Sequence, residues 1–312
     1  MAELPTVPAA PLSPEAAPAP PFWHRLLRGN FWLAALVRVI LYGVLFAGIA
    51  GGLGALAHFL LGRGRALGVP RGLFVGECIG VAAALGAALL MALLEKRRPG
   101  VYGLPLQGAF GKFFWQGALA GLAEISVLMA LISACGGYSF GALAVHGLEL
   151  ARWAGIWAVL FVLVGLFEEF LFRGYAQYTL GAGIGFWPAA LVLSALFGAG
   201  HLRNPGEGWV GALSIVEVGI VLCLTLRRTG NLWFAVGLHA SFDFGETFLY
   251  SVPNSGVVAA GHLSNAALHG PAWLTGGTVG PEGSLFSFLT MGLMFYAIHL
   301  LYPAKEEATP SQ

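Results

Sequence analysis

The chain has 312 residues, of which 57% are hydrophobic and only 10% are charged, and its formal net charge is +1. Because a soluble domain carries about 25% charged residues, this composition excludes an ordinary soluble protein. The small net charge provides no global field that would attract nucleic acid. We therefore expect a polytopic membrane protein without a nucleic-acid partner.

The two ends of the chain are expected to be tails. Residues 1–22 are rich in proline and alanine, which predicts a disordered N-terminal segment. They lack a basic stretch followed directly by a short apolar core, so a cleavable signal peptide is not expected. Residues 23–304 are predicted to form one membrane domain, and residues 305–312 a C-terminal tail.

Between the tails, the chain is a series of apolar runs of about 20 residues, the length that a helix needs to cross a bilayer. Lipid offers the backbone no hydrogen-bond partners, so these spans should be helices. The predicted spans are 31–61, 73–95, 113–135, 150–172, 187–202, 209–226, 231–250 and 283–302. The predicted fold class is all-α, a transmembrane helical bundle of about eight spans.

Basic residues between the spans predict the orientation, because cytoplasmic loops carry an excess of Lys and Arg. The residues that set it are Arg25, Arg28, Lys96, Arg97, Arg98, Lys112, Arg173, Arg227, Arg228 and Lys305. An even number of spans with both termini in the cytoplasm places all of them inside. Arg63, Arg65 and Arg71 fall outside on this topology and contradict the rule.

The fourth span ends in two adjacent acids, Glu168 and Glu169, with Arg173 one turn later. A charge at the centre of a membrane helix costs roughly 2.5–3.5 kcal/mol on insertion scales, so it indicates a functional site. Glu169 and Arg173 have the spacing and order of a favourable helical ion pair, whereas Glu168 lies about 100° around the helix. We predict that Arg173 neutralises Glu169 and leaves Glu168 as a general base for water. The alternative is a polar cap at a helix end.

Two histidines lie in later spans. His201 ends the fifth, where a helix cap or an interface residue is the alternative to a function. His239 lies well inside the seventh, with Asp243 one turn further on the same face. Such a pair is an oriented base, a pair of metal ligands, or a transition-state donor with its orienting partner. The alternative is a buried hydrogen bond between helices.

Straight helices would not bring these groups together. Glu168 would lie roughly 8 Å from the cytoplasmic end of its span, and His201 roughly 21 Å from that same side. They meet only if the fifth span starts deeper, tilts, or the 174–186 stretch enters the membrane. Gly181, Gly183, Gly185 and Pro188 would permit such a break.

Two familiar hydrolase signatures do not fit. Residues 137–141 match the G-x-S-x-G nucleophile elbow, but that motif requires a strand–turn–helix context, and here it joins two apolar runs. An H-E-x-x-H sequence is absent, so a zincin-type metal helix is not expected.

Three motifs in order, E-E-x-x-x-R, F-x-x-x-H and H-x-x-x-N/D, resemble those of the CPBP intramembrane proteases. This family includes the type 2 CAAX prenyl endopeptidases and bacterial Abi proteins linked to bacteriocin immunity. The matching residues are Glu168, Glu169, Arg173, Phe197, His201, His239 and Asp243, with the family-like lead-in Gly230-Asn231-Leu232-Trp233. The resemblance covers residues 165–245, and hydropathy alone matches the first four spans.

The resemblance implies peptide-bond hydrolysis within the membrane, with Glu168 and His201 activating water. His239 and Asp243 would stabilise the oxyanion or share a metal. The eukaryotic CAAX enzymes have Asn where this chain has Asp243, and an ionised Asp can only accept hydrogen bonds. Asp243 therefore fits better as an orienter of His239 or as a metal ligand. One Glu, two His and one Asp would make a zinc ligand set, so one divalent metal such as zinc is left open, and no other cofactor is expected.

The expected partners are the lipid bilayer and a peptide or membrane-protein substrate, with or without a lipid. The expected location is a bacterial cell membrane. Two alternatives to an endopeptidase remain. One is a non-catalytic peptide-binding or bacteriocin-immunity membrane protein. The other is a proton-coupled transporter, which should show internal repeat symmetry that this sequence does not.

Overall fold

The computed structural model describes residues 22–61 and 70–303. Residues 1–21 of the predicted N-terminal tail, the C-terminal tail at 305–312, and both Arg63 and Arg65 lie outside this part. Its helices are α1 (Phe22–Arg28), α2 (Trp32–Leu61), α3 (Arg71–Glu95), α4 (Lys112–Ala134), α5 (Gly147–Glu169), α6 (Gln177–Ile184), α7 (Phe186–His201), α8 (Trp209–Thr229), α9 (Trp233–Phe244), α10 (Ala272–Thr275) and α11 (Leu285–Leu301). One two-stranded antiparallel ribbon, β1 (Tyr138–Ser139) with β2 (Ala267–Leu268), accompanies them.

The all-α fold class is confirmed, and each of the eight predicted spans coincides with a helix. Five helical segments of the described chain are long and apolar enough to cross a membrane, namely α2, α3, α4, the continuous segment 147–184 and α8. The apolar helices α7 and α11 have 16 and 17 residues. Helix α9 has 12 residues and continues as a π-helical turn at Gly245–Leu249. The bundle therefore combines five full-length spans with three shorter helices.

The predicted end of the fourth span at residue 172 is wrong. Helix α5 runs through a π-helical turn, Phe170–Ala176, directly into α6, so the segment 147–184 has 38 residues. Gly174 interrupts the helical backbone with φ −81° and ψ −109°. The segment ends at Gly185, whose φ of +92° is a conformation that glycine adopts without a steric penalty. Glu168 consequently lies in the interior of a long kinked segment, not near its end.

Helix α9 lies at the centre of the bundle because glycines allow α4 to approach it closely. A Cβ atom at Gly117 would lie 2.0 Å from the Phe234 carbonyl oxygen, and one at Gly121 would lie 2.1 Å from that of Leu238. On the α9 side, a Cβ at Gly237 would lie 2.1 Å from the Phe114 carbonyl oxygen. Small residues at membrane helix contacts permit this backbone approach. The contact fixes the helix that carries His239.

A second polar cluster joins α2, α3 and the π-helical turn at the end of the bundle where Lys96 and Arg98 lie. The buried Arg38 guanidinium contacts Glu95 at 3.2 Å, and the Arg97 Nε atom contacts the same carboxylate at 3.1 Å. The Tyr175 hydroxyl donates a hydrogen bond to Glu95. This cluster anchors the turn that follows the two acids of α5.

The opposite end of the bundle is covered by a loop layer, which we define as residues 202–208 and 250–284. Its two parts contact each other, since a Cβ at Gly256 would lie 2.0 Å from the Pro205 carbonyl oxygen. The Gly256 N–H also donates to the Val279 carbonyl oxygen at 2.8 Å. The β1–β2 ribbon joins this layer. Ser139 of the G-x-S-x-G sequence lies on strand β1 of this ribbon, where its hydroxyl is 2.9 Å from His269 Nε2. Ser139 therefore does not lie on the strand-to-helix turn that a nucleophile elbow requires.

Candidate active site

His239 on α9 lies among three carboxylates. Its Nδ1 atom is 2.9 Å from Glu169 Oε1, a distance at which the ring N–H donates to the carboxylate. Its Nε2 atom is 3.7 Å from Glu168 Oε2 and 3.6 Å from Asp243 Oδ2, within ion-pair range but beyond a direct hydrogen bond. The structure therefore joins the acids of α5 to the His–Asp pair of α9.

Glu169 is the fixed member of the two acids. The predicted ion pair with Arg173 is present at 3.2 Å, and neither side chain is exposed. The same Oε1 atom accepts the His239 N–H. Glu169 therefore orients His239 through a hydrogen bond, whereas Asp243, expected to orient the ring or to bind a metal, lies 3.6 Å from Nε2. The reason is the packing of α5 against α9, which places Glu169 closer to the ring than a residue one turn away on the same helix.

Arg173 is held in a closely packed environment that reaches α7 and α8. Its guanidinium carbon lies 4.4 Å from the centre of the Phe197 ring, a cation–π contact. A Cβ atom at Gly219 would lie 2.7 Å from Arg173 Nη2 and 2.7 Å from Ser194 Oγ. The absence of a side chain at Gly219 thus leaves the room that this arginine occupies.

Glu168 is the free member of the pair. About 23% of its side chain is exposed, against none for Glu169, and the exposed part lines a cavity. It makes no hydrogen bond with the described residues, and its ion-pair partner is His239 at 3.7 Å. A carboxylate in this position can accept a proton from a water molecule in the cavity.

Phe197, one turn before His201, contacts both His201 and Arg173. Its carbonyl oxygen lies 2.8 Å from His201 Nδ1, so this nitrogen carries the proton and donates it. In the neutral ring, Nε2 then keeps its lone pair. The Phe197 ring also packs edge-on against His201, with centroids 4.6 Å apart. One residue thereby positions both His201 and Arg173.

The kinked segment resolves the depth mismatch that straight helices would produce. Glu168 lies 17 residues before Gly185, and His201 lies 16 residues after it. At 1.5 Å per residue these are nearly equal lengths, about 26 and 24 Å. A hairpin that turns at Gly185 therefore brings both groups to a similar level. The break falls within the predicted 174–186 stretch.

Glu168, His201, His239 and Asp243 all line one cavity of about 430 Å³. Most of its other lining residues are apolar or aromatic, and it extends from the centre of the bundle to the loop layer. Pockets of this size that combine apolar walls with a few polar groups are typical of ligand sites. Glu169 and Arg173 lie behind the wall and support it.

The residues present do not form a ready metal site. Among residues 22–61 and 70–303, no three His, Cys, Asp or Glu side chains are grouped so that they could hold a metal ion. One nitrogen of His239 donates to Glu169, and the other lies more than 3.5 Å from both cavity carboxylates. The one Glu, two His and one Asp that the sequence left open as a zinc set are not grouped as metal ligands in this arrangement.

Three further acids lie near the site and carry no motif. Glu77 on α3 interacts electrostatically with Glu168, His239 and Asp243. Glu282, in the loop layer, lines the cavity, and Glu246 lies behind it. Glu77 and Glu246 are each a single acid in an apolar stretch, and this is the sequence feature that could have identified them as part of the site.

A family model described as type II CAAX prenyl endopeptidase Rce1-like matches residues 150–245. No curated protein and no solved structure was found to match the chain. The matched segment includes all six residues expected to be catalytic and confirms the resemblance based on the three motifs. Over residues 150–245, this integral membrane protein is therefore similar to the CAAX-type membrane proteases of the CPBP family.

Proposed function

We propose that the protein is an intramembrane endopeptidase in which Glu168 activates the water that cleaves a peptide bond. One observation carries this proposal: of two adjacent acids, Glu169 is fully buried and paired with Arg173, whereas Glu168 faces the cavity beside His239. A base for water needs this combination of access and freedom from fixed partners.

The first step is proton transfer from water to Glu168. His201 assists, because Nδ1–H donates to Phe197 and leaves the Nε2 lone pair to accept a hydrogen bond from the same water. The hydroxide adds to the carbonyl carbon of the substrate. When the C–N bond breaks, Glu168 returns its proton to the departing nitrogen, so protons balance over the cycle.

His239 is assigned to the developing oxyanion. Its Nδ1–H donates to Glu169, and its Nε2 atom faces carboxylate oxygens of Glu168 and Asp243. A lone pair on Nε2 would meet two negative groups, so we assign the imidazolium form, in which Nε2–H can donate to the oxyanion. Asp243 stabilises this charged ring from the cavity side.

The substrate is proposed to be a peptide or membrane-protein segment of the CAAX type, with or without a lipid, because the matching family model is that of CAAX prenyl endopeptidases. The cavity reaches the loop layer, at the end of the bundle opposite Lys96, Arg98 and Arg228. With the basic loops in the cytoplasm, both termini lie inside and the cavity faces the other side of a bacterial membrane.

The test is cleavage of quenched-fluorescent CAAX-type peptides by purified protein in proteoliposomes. Glu168→Gln should reduce kcat by at least about a hundredfold, in the range of general acid–base contributions, while the protein stays folded. Glu217→Gln is the matched control, because Glu217 is an acid on α8 outside the cavity.

Full activity in Glu168→Gln would refute the base assignment. If wild type binds peptides but never cleaves them, and Glu168→Gln binds equally well, the non-catalytic peptide-binding function is supported instead. Strict dependence of peptide uptake into the vesicles on a proton gradient would support the transporter.

A further inference from the structure

The cavity wall next to the loop layer is acidic, and the basic side chains of the described residues that line the cavity are the two histidines. Its carboxylates are Glu168, Asp243 and Glu282, and no Lys or Arg lines it within the described part of the chain. Glu168 and Asp243 face His239, which gives them a potential cation. Glu282 lies on the turn before α11 and is not among the acids that act on His239. One carboxylate of the cavity is therefore left without a positive partner.

Glu282 is held in place and backed by a second acid. It is only 7% exposed, and its Oε1 accepts the Ser255 backbone N–H at 2.9 Å. Behind it, the Glu246 side chain is completely buried, and neither of its oxygens finds a donor among the described residues. The two carboxyl groups contact each other. A second acid that is completely buried behind Glu282, with no basic side chain of the described residues to neutralise it, indicates that the wall is built for a positive group.

The electrostatic surroundings of Glu282 and Glu246 also favour a positive group at this wall. Burial and the nearby Asp243 carboxylate raise the pKa of Glu282 above its usual range. The Glu246 carboxyl group behind it is a second acidic neighbour of Glu282. A cation placed against the pair would favour its ionised form, and attraction between the charges is strong where water is scarce.

The remaining wall suits a long side chain with a charged end. Trp157, Phe161 and Phe242 line the same cavity. Lys and Arg pack their alkyl stems on apolar surfaces while the charged head reaches a polar group. A bare metal ion fits less well, because no three acidic, His or Cys side chains of the described residues are grouped as ligands.

We propose that Glu282, backed by Glu246, forms a specificity subsite for a lysine or arginine side chain of the peptide substrate. The inference rests on the proposed endopeptidase function and adds the substrate class. Both acids lie outside the segment that matches the family model, Glu282 in the loop layer and Glu246 in the turn that continues α9. The same wall disfavours a free C-terminal carboxylate at this position.

The test uses peptides that differ only in lysine, norleucine or glutamate, placed in turn at each position flanking the cleaved bond. At one position, wild type should prefer lysine over glutamate by at least about tenfold in kcat/KM, roughly 1.4 kcal/mol. Glu282→Gln keeps an acceptor for Ser255 and should bring this ratio close to one. Glu149→Gln, an exposed acid paired with Arg152, should leave it unchanged.

Two further measurements, inhibition by an alkylamine and peptide binding, test the same subsite. A hexylamine should inhibit cleavage of the norleucine peptide by wild type competitively, whereas hexanoate should not, and this requires no variant. Binding of the three peptides to Glu168→Gln should follow the same order, which tests the subsite even if cleavage is never observed. Equal rates for all three peptides, a lysine preference retained in Glu282→Gln, or calcium binding without a lysine preference would overturn it.

Discussion

The unequal roles of the two adjacent acids predict that Glu169→Gln destabilises the protein. The carboxylate contacts Arg173 at 3.2 Å and His239 at 2.9 Å, and neither Glu169 nor Arg173 is exposed. Removing one partner of a buried ion pair costs about 3–5 kcal/mol, because the other charge stays buried and uncompensated. Arg173 would keep its contact with Phe197 at 4.4 Å, so we expect the lower end, about 3 kcal/mol.

Glu168→Gln should behave differently. The side chain is partly exposed to the cavity, makes no hydrogen bond with the described residues, and lies 3.7 Å from His239. Its loss should change stability by less than about 1 kcal/mol while abolishing cleavage. The two substitutions are chemically identical and adjacent in sequence, so each is the control for the other.

Thermal unfolding in detergent, together with cleavage rates, measures both effects. For a domain of this size a change of 1 kcal/mol shifts Tm by roughly 2–4 °C, so Glu169→Gln should lower Tm by about 6 °C or more. Arg173→Gln should be similarly destabilised. The double variant should lose less than the two single variants together, since the residues contact each other.

A wild-type Tm for Glu169→Gln together with lost activity would refute the structural role of Glu169. A lowered Tm for Glu168→Gln instead would exchange the roles of the two acids. Strict additivity of Glu169→Gln and Arg173→Gln would show that the pair does not act as a unit.

Three further outcomes follow from the same contacts. Gly219→Ala should reduce activity and Tm, because its Cβ would lie 2.7 Å from Arg173 Nη2; Gly155→Ala, with open space around its Cβ, should change neither. Phe197→Leu should reduce kcat at least about tenfold, since its ring positions both Arg173 and His201; an unchanged kcat would contradict this. Cleavage should persist after treatment with 1,10-phenanthroline, because the described residues form no metal-ligand group; a loss that added zinc restores would contradict the proposed chemistry.

Local and compositional features could be predicted from the sequence. The all-α membrane fold follows from apolar runs that lipid forces into helices. The Glu169–Arg173 pair follows from i,i+4 geometry, which holds wherever the helix lies. The order of the three motifs was sufficient to indicate the family, and the model for residues 150–245 agrees.

Long-range contacts were decided by the tertiary structure. The hydrogen bond from His239 to Glu169 joins residues 70 positions apart and depends on how α5 packs on α9. The non-helical backbone at Gly174 and the turn at Gly185 set the depth of Glu168, and a glycine in a sequence permits such a break without requiring it. Glu282 reaches the cavity because the loop layer folds over it. Composition and hydropathy identify the groups that are costly to leave in lipid, whereas the packing of the helices brings particular ones into contact.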